Sequence, residues 1–284
     1  MDAVRVHSIL PHALTRAADA ELQAAGVGHV AHGTGDPVDA AAAAAADPQA
    51  LAVLGPYRSA AVAEAVEASA PAGLALLAPV ATWAGVTRVD EPGCDDPARH
   101  RGTVVRLVAR DTEVALRLAS HLRAAAERAL VVAGAHDYGR QIDGQLRLGG
   151  LPRAERAEDA DLVVLAGFPG EPEIELAADS APLPVIAFDG VQGAALGDRE
   201  VRVVLPYEPV DGIPTDELLA GVEQARRAAR LVIGALAEGA SDRQTVLAAV
   251  RRLGGFDAHG DPPHPPVWLW RADPAWNLRP DRPL

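Results

Sequence analysis

Short apolar runs bounded by Gly, Pro and Asp alternate along this chain with longer segments whose apolar positions recur every three or four residues. The runs predict buried parallel strands and the longer segments amphipathic helices. In order, the pattern predicts a strand over 4–10, a helix over 14–25 closed by Gly26, and a second strand over 27–32. Asp36 or Asp39 caps an alanine-rich helix to Ala46, which Asp47-Pro48 stops before a strand over 51–54. A helix over 60–70 and a further apolar strand ending at Pro79 follow, then an acidic, Pro/Gly-rich loop over 90–101 and a strand over 104–108.

The alternation then repeats. Asp111 caps a helix to Arg128 that keeps Val114, Leu118, His121 and Leu122 on one face, and strands follow over 129–133, 162–165, 185–187 and 201–205, with a helix over 140–148. A Pro-rich connection over 206–214 suits a crossing between lobes. Beyond it come a long helix over 215–238 with Leu218, Val222, Ala225, Ala229 and Val232 as its stripe, a helix to Arg252 started by Ser241 or Asp242, a turn over 256–261 and a final strand over 267–271. Strand and helix alternating twice over predict an α/β fold of two lobes, each a doubly wound parallel sheet.

The stretch LAVLGPYRSAAVAEAVEASAPAGLALLAPVAT, from Leu51 to Thr82, is central to the chemistry. Its first loop, Gly55-Pro56-Tyr57-Arg58-Ser59, delivers a hydroxyl to a helix start, where unpaired N–H groups and the dipole favour an anion. Its second, Pro79-Val80-Ala81-Thr82, sets another hydroxyl and a free carbonyl just past a strand's carboxyl end, the edge where ligands of open parallel sheets collect. The sequence Gly26-Val27-Gly28-His29-Val30-Ala31 matches a dinucleotide fingerprint in letters only, because here it ends a helix instead of opening one.

Composition narrows the chemistry. The core must be built from Ala, Val and Leu, since the 284 residues are 49% hydrophobic but only 4% aromatic. A net charge of −13 disfavours nucleic acid and anionic membrane surfaces as partners. All 26 basic residues are Arg, so Schiff-base lysines, a pyridoxal phosphate anchor and the Walker lysine are excluded. Cys94 is the single cysteine and forms no intrachain disulfide. G-x-S-x-G and H-E-x-x-H are missing, and no cofactor or metal site is expected; the nine histidines, His29, His32, His259 and His264 among them, form no tight pair in the sequence and read as solvated. Without a basic and apolar leader or an 18-residue apolar span, the chain as written is expected to be cytoplasmic, or extracytoplasmic if an export signal has been removed.

Tyr57, Trp83, Tyr138, Phe168 and Phe188 are five of the ten aromatics, and all fall in or beside predicted strand ends. With Ser59, Thr82 and Asp189 they suit a zwitterion. An α-carboxylate takes hydroxyl and N–H donors, here Ser59 and Thr82; an α-ammonium takes a carboxylate and a carbonyl, here Asp189 with Val80 and the Thr82 hydroxyl, and aromatic faces add cation–π attraction.

In the order and spacing of these pieces, the chain resembles the type I periplasmic binding proteins of the leucine/isoleucine/valine-binding kind, receptors of branched-chain amino acid ABC transporters. The pieces are LAVLGPYRSAAVAEAVE with LALLAPVATWAGVT, VVRLVARDTEVA, ALVVAGAHDYGRQ, VVLAGFPGEP, VIAFDGV and FDAHGDPPHPPVWLW. The resemblance implies lobes of 1–107 with 209–266 and 108–208 with 267–284, an interlobe cleft, and an amino-acid-like ligand bound without catalysis. It implies Ser59, Val80, Thr82 and Asp189 at the ligand with Tyr138 and Phe168 as walls, and the loops that hold them add Tyr57, Arg58, Ala81 and Trp83 to the candidate set. Arg58 either recruits a second acidic group on the ligand or pairs with a protein acid. The implied partner is an ABC permease or, for a cytoplasmic sensor, a regulatory protein. An enzyme on the same scaffold and a vestigial binding fold used as an interaction module are the alternatives.

Overall fold

A computed structural model describes residues 4–88, 102–180, 182–191, 194, 196, 199–211 and 221–284. The loop expected over 90–101, Cys94 and the first part of the helix expected from Thr215 lie outside the described residues. The chain divides into two compact units, Met1–Ala109 with Val210–Pro265 and Arg110–Pro209 with Pro266–Leu284.

The first unit contains β1 (Arg5–Ser8), α1 (His12–Ala24), β2 (Gly28–Ala31), α2 (Pro37–Ala46), β3 (Ala50–Leu54), α3 (Ser59–Ser69), β4 (Ala75–Ala78) and β5 (Val104–Arg106). Its strands are all parallel, in the order β2-β1-β3-β4-β5. Because β1 lies between β2 and β3, the chain winds first one way and then the other, and helices cover both faces. On one face α2 and α3 bury Ala40, Ala44, Val62 and Val66 against Val53 and Leu76. On the other, α1 packs on the first of two helices contributed by the returning segment, and the second packs on the first. Leu14, Ala18 and Leu22 of α1 join Val222, Ala225, Ala229 and Val232, the described members of the expected stripe, and Val246 and Val250; Leu218 lies outside the described residues. Gly28 opens β2 after α1 has ended, which removes the dinucleotide fingerprint.

Asp36 is the cap of α2, its carboxylate accepting the N–H groups of Val38 and Asp39. Numbered in chain order, the helices of the returning segment are α7 (Val222–Ala237) and α8 (Arg243–Gly254). Asp242 and Thr245 form a capping box at the start of α8. Arg243 beside them donates to the carbonyls of Ala45, Asp47, Ala50 and Ala72. One guanidinium thus pins the returning segment to the first part of the chain.

The second unit contains α4 (Asp111–Ala125), β6 (Ala129–Ala133), α5 (Asp137–Leu148), β7 (Leu162–Ala166), α6 (Pro172–Ser180), β8 (Val185–Phe188), β9 (Val201–Leu205), β10 (Trp268–Ala272) and β11 (Leu278–Pro283). Strands β6 to β9 are parallel and in chain order. A parallel bridge between Ala129 and Arg153 on the free side of β6 is a second strand reduced to one residue. With it, the winding repeats that of the first unit.

Several expectations need correction. The second sheet is mixed, because β10 pairs antiparallel with both β9 and β11. β11 has only Leu278 buried and carries Pro280 and Pro283, so it shows no strand alternation; the prolines suit an edge. Helix α6 was not expected, and α4 is preceded by Arg110, with Asp111 in its first turn and not at the cap. The histidines differ too. His7 Nδ1 and His32 Nε2 are 2.8 Å apart with their rings stacked, and His7 Nε2 is 3.1 Å from Asp47, so these imidazoles form a tight pair with an acid partner.

Burial holds His32 below the ordinary 6.5, helped by the nearby His7 and His29. A histidine kept neutral in the fold takes up its proton more readily when unfolded, so its contribution to stability is complete above 6.5 and declines as the pH drops below it. Thermal unfolding followed from about pH 7.5 to about pH 5.5 should show a falling midpoint, with a shallower fall in His32→Asn. Equal slopes in the two proteins contradict this assignment.

Candidate functional site

In the first unit the candidate residues sit past the carboxyl ends of β3 and β4. Gly55, at φ +97°, turns the chain out of β3, and a Cβ there would stand 2.5 Å from the Ile9 carbonyl. Tyr57 and Arg58 are exposed, and Arg58 has no acidic partner among the described residues. Ser59 is the first residue of α3, and its hydroxyl accepts the Trp83 N–H at 3.2 Å. That bond joins the two loops and leaves the hydroxyl proton of Ser59 for another acceptor. Val80 and Ala81 are buried, and Thr82 and Trp83 are partly exposed.

The second loop rests on a buried network. Arg106, fully buried at the end of β5, donates to the carbonyls of Ala81 (3.0 Å) and Ala84 (3.2 Å), to the Thr87 hydroxyl (2.6 Å) and to Asp261 (3.2 Å). Thr87 donates to Asp261 at 2.5 Å, and Arg88 reaches the other oxygen of that carboxylate at 2.8 Å. The free carbonyl expected in this loop is therefore not that of Ala81. Neither Arg106 nor Asp261 was expected here; the signal was an Arg inside the apolar run VVRLV and an Asp closing the turn FDAHGD.

In the second unit Tyr138, Phe168 and Asp189 follow β6, β7 and β8. Helix α5 begins at Asp137, earlier than expected, because His136 is extended and Asp137 favours the positive end of the helix. Tyr138 thus lies in the first helical turn, and its hydroxyl donates to Asp189 Oδ1 at 2.7 Å. Its ring stands 5.2 Å from that of Phe168, tilted by 32°, and Phe168 remains 42% exposed. Gly190 leaves room for both rings, since a Cβ there would lie 2.8 Å from Tyr138 Cε1 and 3.3 Å from Phe168 Cε1. Phe188 is a core residue, 1% exposed on the sheet, and is no wall.

Burial raises the Asp189 carboxyl above the ordinary 3.8, against the lowering effect of the Tyr138 hydroxyl and the Gly190 N–H. Burial and the neighbouring carboxylates push the Tyr138 phenol well above 10.0, so it stays a donor. A half-buried carboxylate that is costly to ionise alone, held by a phenol and flanked by aromatic faces, is suited to receive a cation.

A second constellation invites a catalytic reading. Ser8 Oγ is 2.9 Å from His29 Nε2, and His29 Nδ1 is 2.9 Å from Asp19, the connectivity of a nucleophilic triad. Ser8, however, is entirely buried and cannot meet a substrate. Among the described residues no group of three His, Cys, Asp or Glu side chains could hold a metal ion, and no helix is long and apolar enough to cross a membrane.

No protein-family model matches this chain, and no curated protein matches it in sequence. Solved structures do. An ABC transporter substrate-binding protein from Desulfitobacterium hafniense superposes with a TM-score of 0.75 at 17% identity, over 98% of each chain. The branched-chain amino acid transporter substrate binding protein LivJ from Streptococcus pneumoniae, in complex with isoleucine, gives 0.72 at 15%, over 99% of this chain and 100% of that one. The leucine binding protein LivK from Thermotoga maritima gives 0.72 at 16%, over 99% of each. With two α/β units wound in the same order, this chain has the fold of the type I periplasmic binding proteins of the leucine/isoleucine/valine-binding kind.

Proposed function

We propose that the chain binds a small amino-acid-like zwitterion and leaves it chemically unchanged. The observation that carries the reading is the Tyr138–Asp189 pair beside Phe168, a carboxylate prepared for an ammonium group. Ser59 and Thr82, at a helix start and a strand end of the first unit, are the donors for the ligand's carboxylate. Leucine and isoleucine head the candidates, since substrate-binding proteins of this fold are solved with each of them. The bound state would be read by an ABC permease or by a regulatory protein.

A thermal-shift panel of the proteinogenic amino acids tests this. A ligand present at about a hundred times its Kd should raise the unfolding midpoint by roughly 5–10 °C. A flat response across the whole panel contradicts the proposal and favours the vestigial or the enzymatic alternative.

A further inference from the structure

We infer that Glu171, outside the candidate set, is the positioning residue of the second unit's Tyr138, Phe168 and Asp189 cluster; its effect on ligand affinity rests on the zwitterion reading above. Glu171 stands just before α6 and is only 7% exposed, although its side chain is an acid. Its Oε2 accepts the Phe168 N–H at 2.5 Å and its Oε1 the His136 N–H at 3.3 Å. Those amides belong to different loops, one after β7 and one after β6. The carboxylate therefore bridges the backbone segment that carries Phe168 and the one that leads directly into Tyr138.

The glycines show how close this fit is. A Cβ on Gly134 or Gly167 would overlap Glu171 Oε2, so the carboxylate fills the space that two missing side chains leave open. Gly134 N–H also bonds the Ala166 carbonyl at 2.8 Å, which brings the ends of β6 and β7 together around it. A buried carboxylate satisfied by backbone N–H donors is a fixed point, because moving either amide leaves charge unpaired. Glu171 holds no ligand in this account. It sets the separation of the two rings and hence where the Tyr138 hydroxyl meets Asp189.

The test uses the full chain as wild type, Glu171→Gln, Gly134→Ala and, as a control on exposed Glu173, Glu173→Gln. Titration calorimetry with L-leucine and L-isoleucine, well below the unfolding midpoint, should show affinity about tenfold or more weaker in Glu171→Gln and unchanged in Glu173→Gln. Gly134→Ala, which displaces the carboxylate without removing it, should reproduce the loss, and the double variant should lose no more than the worse single one. NMR of the unliganded proteins should show the Phe168 and His136 amides and the Tyr138 ring signals moved in Glu171→Gln. Wild-type affinity in Glu171→Gln overturns the inference, as do unmoved Tyr138 ring signals. If the wild type binds neither amino acid, leucine and isoleucine are ruled out as its ligands, and the ring and amide signals still decide the role of Glu171.

Discussion

Asn in place of Asp189 should leave the protein folded and remove its amino-acid response, with affinity at least about a hundredfold weaker. Asn keeps an oxygen for the Tyr138 hydroxyl and so preserves the local bond of 2.7 Å. What it removes is the charge that would face the ligand's ammonium, and an ammonium bound there without a counter-charge pays its desolvation alone. The sign of the stability change runs the other way. Burial raises the Asp189 carboxyl above 3.8, so in the unliganded protein ionisation near neutral pH works against folding. Asp189→Asn should therefore match or exceed the unliganded wild type in unfolding midpoint at pH 7 while failing to bind. In the wild type, affinity should be complete above the raised value and decline as the pH falls through it. A calorimetric titration that finds undiminished affinity in the variant removes Asp189 from the site.

The second large effect is expected at Arg106. Replacement by Leu should cost about 3–5 kcal/mol, the range for breaking a buried charged pair, and lower the midpoint by roughly 10 °C. Asp261 would keep Arg88, so the damage lies mainly with the Ala81 and Ala84 carbonyls and the Thr87 hydroxyl, left buried without a donor. Arg106→Lys should restore little, because one ammonium cannot serve four acceptors spread around a planar fork. Arg88→Leu, at a partly exposed side chain, should cost far less. Denaturant or thermal melts of the three variants check the order, and an Arg106→Leu midpoint within a degree or two of wild type contradicts it.

The repeated alternation of apolar runs and helical stripes made the two α/β units legible, since strands such as β3, buried on both sides, read as unbroken apolar segments. The loops at the ends of β3, β4, β6, β7 and β8 were legible for a related reason. In a chain this poor in aromatics, an aromatic at a strand end stands out. Charged residues that work from inside were not. Arg106 and Asp261 are 155 positions apart, and nothing local pairs them. Glu171 lies with Glu173 and Glu175 in an acidic stretch for which the pattern predicts no element, yet it alone of the three is buried. The histidine contacts are hidden in the sequence for the same reason, because Asp19 and Asp47 reach His29 and His7 only through the fold. Strand β11 escaped because it carries no alternation at all.

The proposed ligand carries both charges. The most direct measurement is a set of calorimetric titrations with the amino acid that gives the largest thermal shift, its des-amino acid and its decarboxylated amine. On the proposed reading only the zwitterion should give saturable heat, because Asp189 would face the ammonium and Ser59 with Thr82 the carboxylate. Binding of the des-amino acid as tightly as the amino acid would contradict the account.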